Sequence, residues 1–153
     1  MIHRSPVTRL CHSVAETEAF GASLACLVPK GQVIGLSGDL GAGKTALVRG
    51  FARGFGCTSR AHSPTFALLN EYEGGRFRLF HLDLYRLGSP AEIQSAGLEE
   101  YLVHPEGVSV VEWMERWTGP DVGTPPSESS VWNVHLEVVD ETTRRITHDV
   151  PGA

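Results

Sequence analysis

The chain lacks most of what would place it outside a cell or in a membrane. Its three cysteines, Cys11, Cys26 and Cys57, form neither a CxxC pair nor a disulfide-dense pattern, which excludes a disulfide scaffold. No apolar run approaches the length of a membrane span, and the opening Met-Ile-His-Arg-Ser-Pro has no signal-peptide core. The expectation is a reducing cytoplasm and no membrane partner. A basic excess is missing too: the net charge is −5, whereas affinity for nucleic acid rests mostly on phosphate neutralisation by Lys and Arg. Any nucleic-acid role therefore needs a partner protein. What remains is ordinary for one soluble domain with a sizeable core, expected over residues 1–153, at 41% hydrophobic and 20% charged residues.

Against that plain background one stretch carries chemistry. Gly38-Asp39-Leu40-Gly41-Ala42-Gly43-Lys44-Thr45 matches the phosphate-binding loop GxxxxGK[ST]. The three glycines allow backbone conformations closed to other residues, so successive N–H groups can turn toward a β-phosphate. Lys44 reaches the β and γ oxygens as a point charge, the Thr45 hydroxyl can bind Mg²⁺, and the helix that follows presents its positive end to the anion. The context agrees. Gln32-Val33-Ile34-Gly35-Leu36 reads as a short buried strand, and Leu47, Val48, Phe51, Ala52 and Phe55 recur at helical spacing. Residues Gly38 to Ala46 are thus the expected nucleotide grip.

Taken in order, Val7–Cys11 reads as a strand and Ser13-Val14-Ala15-Glu16 as a capping box opening a helix to about Val28, with Phe20, Leu24, Leu27 and Val28 as its buried stripe. The Ser13 end of that helix is a possible contact for a nucleotide base. Gly54 and Gly56 end the P-loop helix, and Cys57 to Pro64 reads as a polar loop. It leads into Ser63-Pro64-Thr65-Phe66, where either Ser63 or Thr65 can report a γ-phosphate in the manner of a switch segment. Thr65 to Glu73 and Arg76 to Leu82 are strand-like runs about Gly74-Gly75, a hairpin signal. A hairpin at this point makes the sheet mixed, unlike a plain βαβ alternation.

The second strand closes on His81-Leu82-Asp83-Leu84-Tyr85-Arg86, whose two-residue period puts His81, Asp83 and Tyr85 on one face. Asp83 can orient a water or hold a metal-bound water, while His81 reads first as structural. Ser89-Pro90-Ala91-Glu92 opens a short helix, and Leu98 to Val103 adds a helical turn or two. Val108-Ser109-Val110-Val111-Glu112 then delivers an acid at the end of an apolar strand, the geometry of a Walker B carboxylate facing Mg²⁺. Residues Thr118 to Ser130 turn to Gly, Pro, Ser and Asp and read as an exposed loop. Beyond it, Val131–Val139 and Arg144–Val150 form a tail hairpin whose Arg144-Arg145 doublet reads first as solvated surface.

Assembled, these segments resemble the bacterial TsaE (YjeE) family, through Gly38-Asp-Leu-Gly-Ala-Gly-Lys-Thr45, Ser63-Pro64-Thr65-Phe66, His81-Leu-Asp-Leu-Tyr-Arg86 and Val111-Glu112-Trp113 in that order. The resemblance implies a P-loop NTPase-like α/β fold, a mixed β-sheet flanked by helices with an antiparallel hairpin inserted after the P-loop helix. It implies ATP and Mg²⁺ binding with slow hydrolysis, and action with TsaB and TsaD in threonylcarbamoyladenosine (t6A) modification of adenosine 37 of tRNA. Carried over by position, Lys44 is the phosphate ligand, Thr45 and Glu112 the metal-side ligands, and Asp83 the acid of the His-x-Asp-x-Tyr-Arg segment. Lys44, Asp83 and Glu112 are the expected catalytic set. Two departures are Met114, where many members have proline, and a tail over Gly119–Ser130 without the family's Leu-Leu-Pro-like segment. A small-molecule kinase built on the same P-loop is the alternative, although the 118–130 loop has no Arg or Lys to serve as a lid. A GTPase switch is set aside because no Asn-Lys-x-Asp motif occurs.

Overall fold

Along Val33-Ile34-Gly35-Leu36 successive side chains must point to opposite faces. The two faces of the sheet are accordingly covered by two separate apolar clusters, Val33 in one and Ile34 and Leu36 in the other. The structure, a computed structural model, describes residues 5–39, 41–62, 69–118 and 131–153. Its strands are β1 (Val7–Cys11), β2 (Val33–Gly38), β3 (Ser59–His62), β4 (Leu69–Glu73), β5 (Leu79–Asp83), β6 (Val108–Glu112), β7 (Val131–Val138) and β8 (Arg144–His148). The helices are α1 (Val14–Ala25), α2 (Lys44–Phe55), α3 (Pro90–Ser95), α4 (Glu99–Val103) and α5 (Glu115–Thr118). One eight-stranded sheet has the order β1-β8-β7-β2-β6-β5-β4-β3. The expected mixed sheet is present. β2 runs parallel to β6 and β7, and β5 parallel to β6, while β3-β4-β5 and β7-β8-β1 are antiparallel.

The sequence reading needs correcting at several places, each for a tertiary reason. Ser59–His62, within the stretch expected to be loop, is a strand, because it pairs in register with Asn70 to Glu73 on the open side of β4. The β4–β5 hairpin is present, but the connection takes residues 74–78 rather than two glycines alone, with Tyr72 opposite Leu79. The tail hairpin is no appendage: β7 lies directly beside the P-loop strand, Gly38 opposite Leu136, and puts Trp132, Val134 and Leu136 into the core. Helix α1 stops at Ala25, so Leu27 is 41% exposed rather than part of the buried stripe.

Gly54 is likewise inside α2 rather than at its end. A Cβ there would sit 2.7 Å from Ala22 O of α1, and one on Gly21 would sit 2.5 Å from Leu47 O of α2. The glycines let the two helix backbones meet closely, a gain that outweighs the roughly 1 kcal/mol that a helical glycine costs. Gly56, at φ +80°, ends the helix instead, its N–H bonded back to Ala52 and Arg53. On the far face α3, α4 and α5 deliver Ile93, Leu102 and Trp117 onto Val33, Leu82 and Val111. Two packed faces leave one outlet for function, the carboxyl ends of the parallel strands β2, β5 and β6.

Candidate functional site

Three elements end together at that edge. β2 breaks into the loop at Gly38, which has φ +144°; Gly41 and Gly43 follow at +82° and +97°, all values that side-chain-bearing residues rarely adopt. A Cβ on Gly38 would lie 2.5 Å from Leu136 O, so the loop can leave the sheet here only with glycine. The main-chain N–H of Ala42 donates to Asp39 O at 3.0 Å, tightening the turn, and Ala42 itself is fully buried. Lys44 and the exposed Thr45 stand on the first turn of α2, with Ala46 buried behind them. Leu40 lies outside the described residues, as does the Ser63–Phe66 segment in which Ser63 or Thr65 was expected to sense phosphate.

The acids come from the neighbouring strands. Leu36 is opposite Glu112 across β2–β6, and Asp83 is opposite Glu112 across β5–β6, so Glu112 stands between the P-loop strand and the strand carrying Asp83. Lys44 Nζ donates to Glu112 Oε1 at 3.0 Å and to Gly38 O at 2.8 Å. The other carboxylate oxygen, Oε2, lies 2.7 Å from His81 Nε2. Burial pushes the Glu112 carboxyl up, but the hydrogen bonds and charges of His81 and Lys44 outweigh that effect and hold it below the usual carboxylate range. Asp83 Oδ1 accepts from the N–H of Tyr85 at 3.0 Å, which fixes the chain as it leaves β5.

Glu112 is followed by an unusual residue. Trp113, at φ +63°, is the one non-glycine residue in the left-handed region among the described residues. This turn sends the chain away at once after the acid, and the Trp113 ring packs at 5.1 Å from Tyr85 with the Arg116 guanidinium 5.4 Å above it. Strain of this kind persists where surrounding contacts impose it.

Two residues carry more than the sequence assigned them. His81, read as structural, is the partner of Glu112. The signal was available in the period of β5, since His81 shares the face of Asp83, but only the β5–β6 register brings that face to Glu112. Arg144 is not merely solvated surface: its Nη2 donates to Gly41 O of the P-loop at 3.2 Å. Arg145 does face outward and pairs with Glu137 at 3.3 Å. Arg49 and Arg53 point from α2 to Glu18 of α1, and Arg86 is exposed beyond β5. The Ser13 side chain is engaged as the α1 cap, accepting from Glu16 N at 3.0 Å.

A family model described as threonylcarbamoyl adenosine biosynthesis protein TsaE matches residues 11–146. The chain belongs to the TsaE family. The family's protein in Treponema pallidum is 38% identical over 135 residues, covering 88% of this chain and 94% of its own length. Its counterpart in Synechocystis is 48% identical over 103 residues, covering 65% of this chain. That alignment spans 65% of the Synechocystis protein's length. Among solved structures, the crystal structure of YdiB from Bacillus subtilis superposes over 98% of this chain and 89% of its own, with a TM-score of 0.73 and 30% identity. YdiB thus shares the fold of this chain, and the family takes its name from the biosynthesis of threonylcarbamoyladenosine in tRNA.

Proposed function

We propose that the chain binds ATP with Mg²⁺ in the Gly38–Ala46 loop, hydrolyses it slowly, and in this way supports t6A formation at adenosine 37 of tRNA together with TsaB and TsaD in the cytoplasm. The observation that carries the reading is the pair of contacts from Lys44 Nζ, to Gly38 O and to Glu112 Oε1, which puts a P-loop lysine and a strand-end carboxylate within 3.0 Å of each other. The residues fit the ligands. The positive-φ glycines turn main-chain donors to one side, and Lys44 adds a charge. Among the described residues no group of three or more His, Cys, Asp or Glu is placed to hold a metal by itself. That suits Mg²⁺, which takes one or two protein oxygens and completes its shell with phosphate and water. Thr45 and Glu112 would hold it, and when bound it supplies neutralisation of the charge on the phosphate oxygens.

The roles of the residues follow from their contacts. A phosphate that draws Lys44 Nζ toward it, through the third N–H that Gly38 O and Glu112 Oε1 leave over, loosens the contact with Glu112 and frees that carboxylate to face the metal side. His81 Nε2 keeps Oε2 of that carboxylate fixed while Oε1 changes partner. Asp83, next to Glu112 across the ladder, is the acid that orients the attacking water. Among the described residues no arginine side chain bonds to Lys44, Glu112 or Asp83, so the extra positive charge that speeds phosphoryl transfer, worth about 10³ to 10⁵, is supplied in trans. TsaB with TsaD is the source we assign. A small-molecule kinase finds no support in the relatives, which share a tRNA-modification name.

The test is phosphate release from ATP with and without purified TsaB and TsaD, alongside their binding to the chain in ATP, ADP or no nucleotide. Slow release that rises with the partners, and partner binding that depends on the nucleotide, are expected, since coupling between two binding events is reciprocal. Rapid turnover unaltered by partners would point to an independent enzyme.

A further inference from the structure

The two acids of the site stand on the last residues of neighbouring strands, Asp83 on β5 and Glu112 on β6. A ladder holds the backbone along its length, but at its end the chain is free to turn, so an acid placed there needs a further constraint. One more main-chain bond continues the ladder, from Leu84 N to Glu112 O at 3.1 Å. The Glu112 side chain is then fixed by Lys44 and His81. Asp83 is held otherwise: its Oδ1 accepts from the Tyr85 N–H at 3.0 Å, so the orientation of that carboxylate follows the placing of Tyr85.

Tyr85 is itself placed by an aromatic contact across the strand ends. Its ring centre lies 5.1 Å from that of Trp113, with the planes at 53°, the spacing and tilt of a favourable aromatic pair. Trp113 is bound in turn by the Arg116 guanidinium, 5.4 Å from its ring centre, and by its own carbonyl, which accepts from Arg116 N at 3.0 Å. The pair is not core. Tyr85 is 58% and Trp113 38% exposed, and neither belongs to the apolar clusters on the two faces of the sheet. Burial therefore does not account for a tryptophan held at φ +63°, a conformation in which a bulky residue is a true outlier. Strained residues of this kind gather at functional sites, where the surroundings impose them. Here the turn brings the ring that directly follows Glu112 onto the ring two residues after Asp83.

We propose that Tyr85 is a positioning residue for ATP hydrolysis: its ring, packed on Trp113, clips the end of β5 to the end of β6 and so holds Asp83 in place beside Glu112. The proposal rests on the reading that Asp83 and Glu112 serve hydrolysis of a nucleotide in the P-loop. The chain of contacts runs from Glu112 to Trp113 through the main chain, from Trp113 to Tyr85 ring to ring, and from the Tyr85 N–H to Asp83 Oδ1. Tyr85 thus acts through Asp83. The contact with Trp113 is made by the ring, so a phenylalanine keeps it.

The experiment measures single-turnover phosphate release from Mg²⁺-ATP, ADP affinity by calorimetry, and acrylamide quenching of tryptophan fluorescence in the ligand-free chain. It compares the wild type with Tyr85→Ala, Tyr85→Phe, Trp113→Ala and the double variant Tyr85→Ala/Trp113→Ala. A misplacement of about 1 Å can cost about 100-fold in rate, and Asp83 keeps its place in the ladder, so Tyr85→Ala is expected to slow release by about 10-fold. ADP affinity stays within about twofold of the wild type, which separates positioning from a general loss of structure. Tyr85→Phe keeps the wild-type rate within about twofold, since the ring remains. The double variant is no slower than the slower single one, because residues that act as one unit do not add. Quenching rises in Tyr85→Ala, as Trp113, the most exposed of the three tryptophans, loses its cover. Wild-type release from Tyr85→Ala would overturn the clip, as would rate losses that multiply in the double variant or a fall in ADP affinity equal to the fall in rate. Unchanged quenching would show that the rings do not meet in solution and would overturn it too. Absence of phosphate release from the wild type would instead overturn the reading of the acids on which the clip rests.

Discussion

The two flanks of β2 are made of different material although both are built from strands that run parallel to it. The β6 flank ends in ionisable groups that are in contact, Lys44, Glu112 and His81, with Asp83 on the next strand. The β7 flank ends in Leu136, which packs in the core, and in Arg144, which gives three hydrogen bonds to main-chain carbonyls. A charged network that can exchange partners suits a reacting phosphate, whereas a cation bonded to Gly41 O holds the loop in place. Binding and chemistry should then be separable by mutation.

The largest effect expected breaks chemistry on the β6 flank alone. Glu112→Gln should slow hydrolysis by roughly 10²- to 10⁴-fold, and Asp83→Asn in the same direction, with both variants still binding ATP, because a positioned acid contributes on that scale. Single-turnover phosphate release checks it. Unchanged rates in both would remove the acids from the mechanism, and a loss confined to Glu112 would leave Asp83 its Tyr85 contact and a structural role.

Next in size is the shared floor of the two flanks. Lys44→Ala should lower the affinity for ATP and ADP by about 10- to 100-fold, since a charge-assisted ligand is worth about 1.5 to 3 kcal/mol. A smaller effect has the opposite sign. Because Glu112 Oε1 competes with phosphate for Lys44, Glu112→Gln measured without Mg²⁺ should tighten ADP by about fivefold, the equivalent of roughly 1 kcal/mol for a partly buried pair. Calorimetry in EDTA reads this directly, and weaker binding there would show that the pair preorganises Lys44 rather than restraining it.

These contrasts also show where the sequence was legible. The glycines, Lys44 and Thr45 lie in one continuous loop, so spacing alone placed them, and the mostly apolar run before Glu112 carried that acid to a strand end. The β7 flank was opaque because its neighbours are far apart in the chain. Arg144 comes to Gly41 only through the β2–β7 and β7–β8 registers, and nothing local in the Arg144-Arg145 doublet distinguishes the residue that turns to the loop from the one that faces Glu137. His81 was hidden for the same reason, needing the β5–β6 register. Gly54 misled the reading because a glycine that ends a helix and one that lets two helices touch look alike in sequence, and Ser59–His62 has no apolar alternation since it owes its strand form to pairing with β4.

The smallest effect expected lies away from β2, at the β1–β8 edge. His148 is 2% exposed, accepts from Val150 N at Nδ1, and is held below the usual histidine range by burial, with Asp149 opposing and Arg9 assisting. The folded state therefore resists the proton that the unfolded chain accepts near pH 6.5. Stability is complete above that value and declines as pH falls through it. Melting temperatures at pH 7.5 and 5.5 should differ less in His148→Asn, which keeps an acceptor for Val150, than in the wild type. An equal difference in both would assign the acid sensitivity elsewhere.

The most direct test of the division between flanks is one titration paired with one rate: Mg²⁺-ATP binding and single-turnover phosphate release for Glu112→Gln beside Arg144→Ala. The account predicts that Glu112→Gln binds ATP and hydrolyses it at least about 100-fold more slowly, while Arg144→Ala, which loses only a brace of the loop, hydrolyses at the wild-type rate once saturated. Equal losses of affinity and rate in both variants would contradict it.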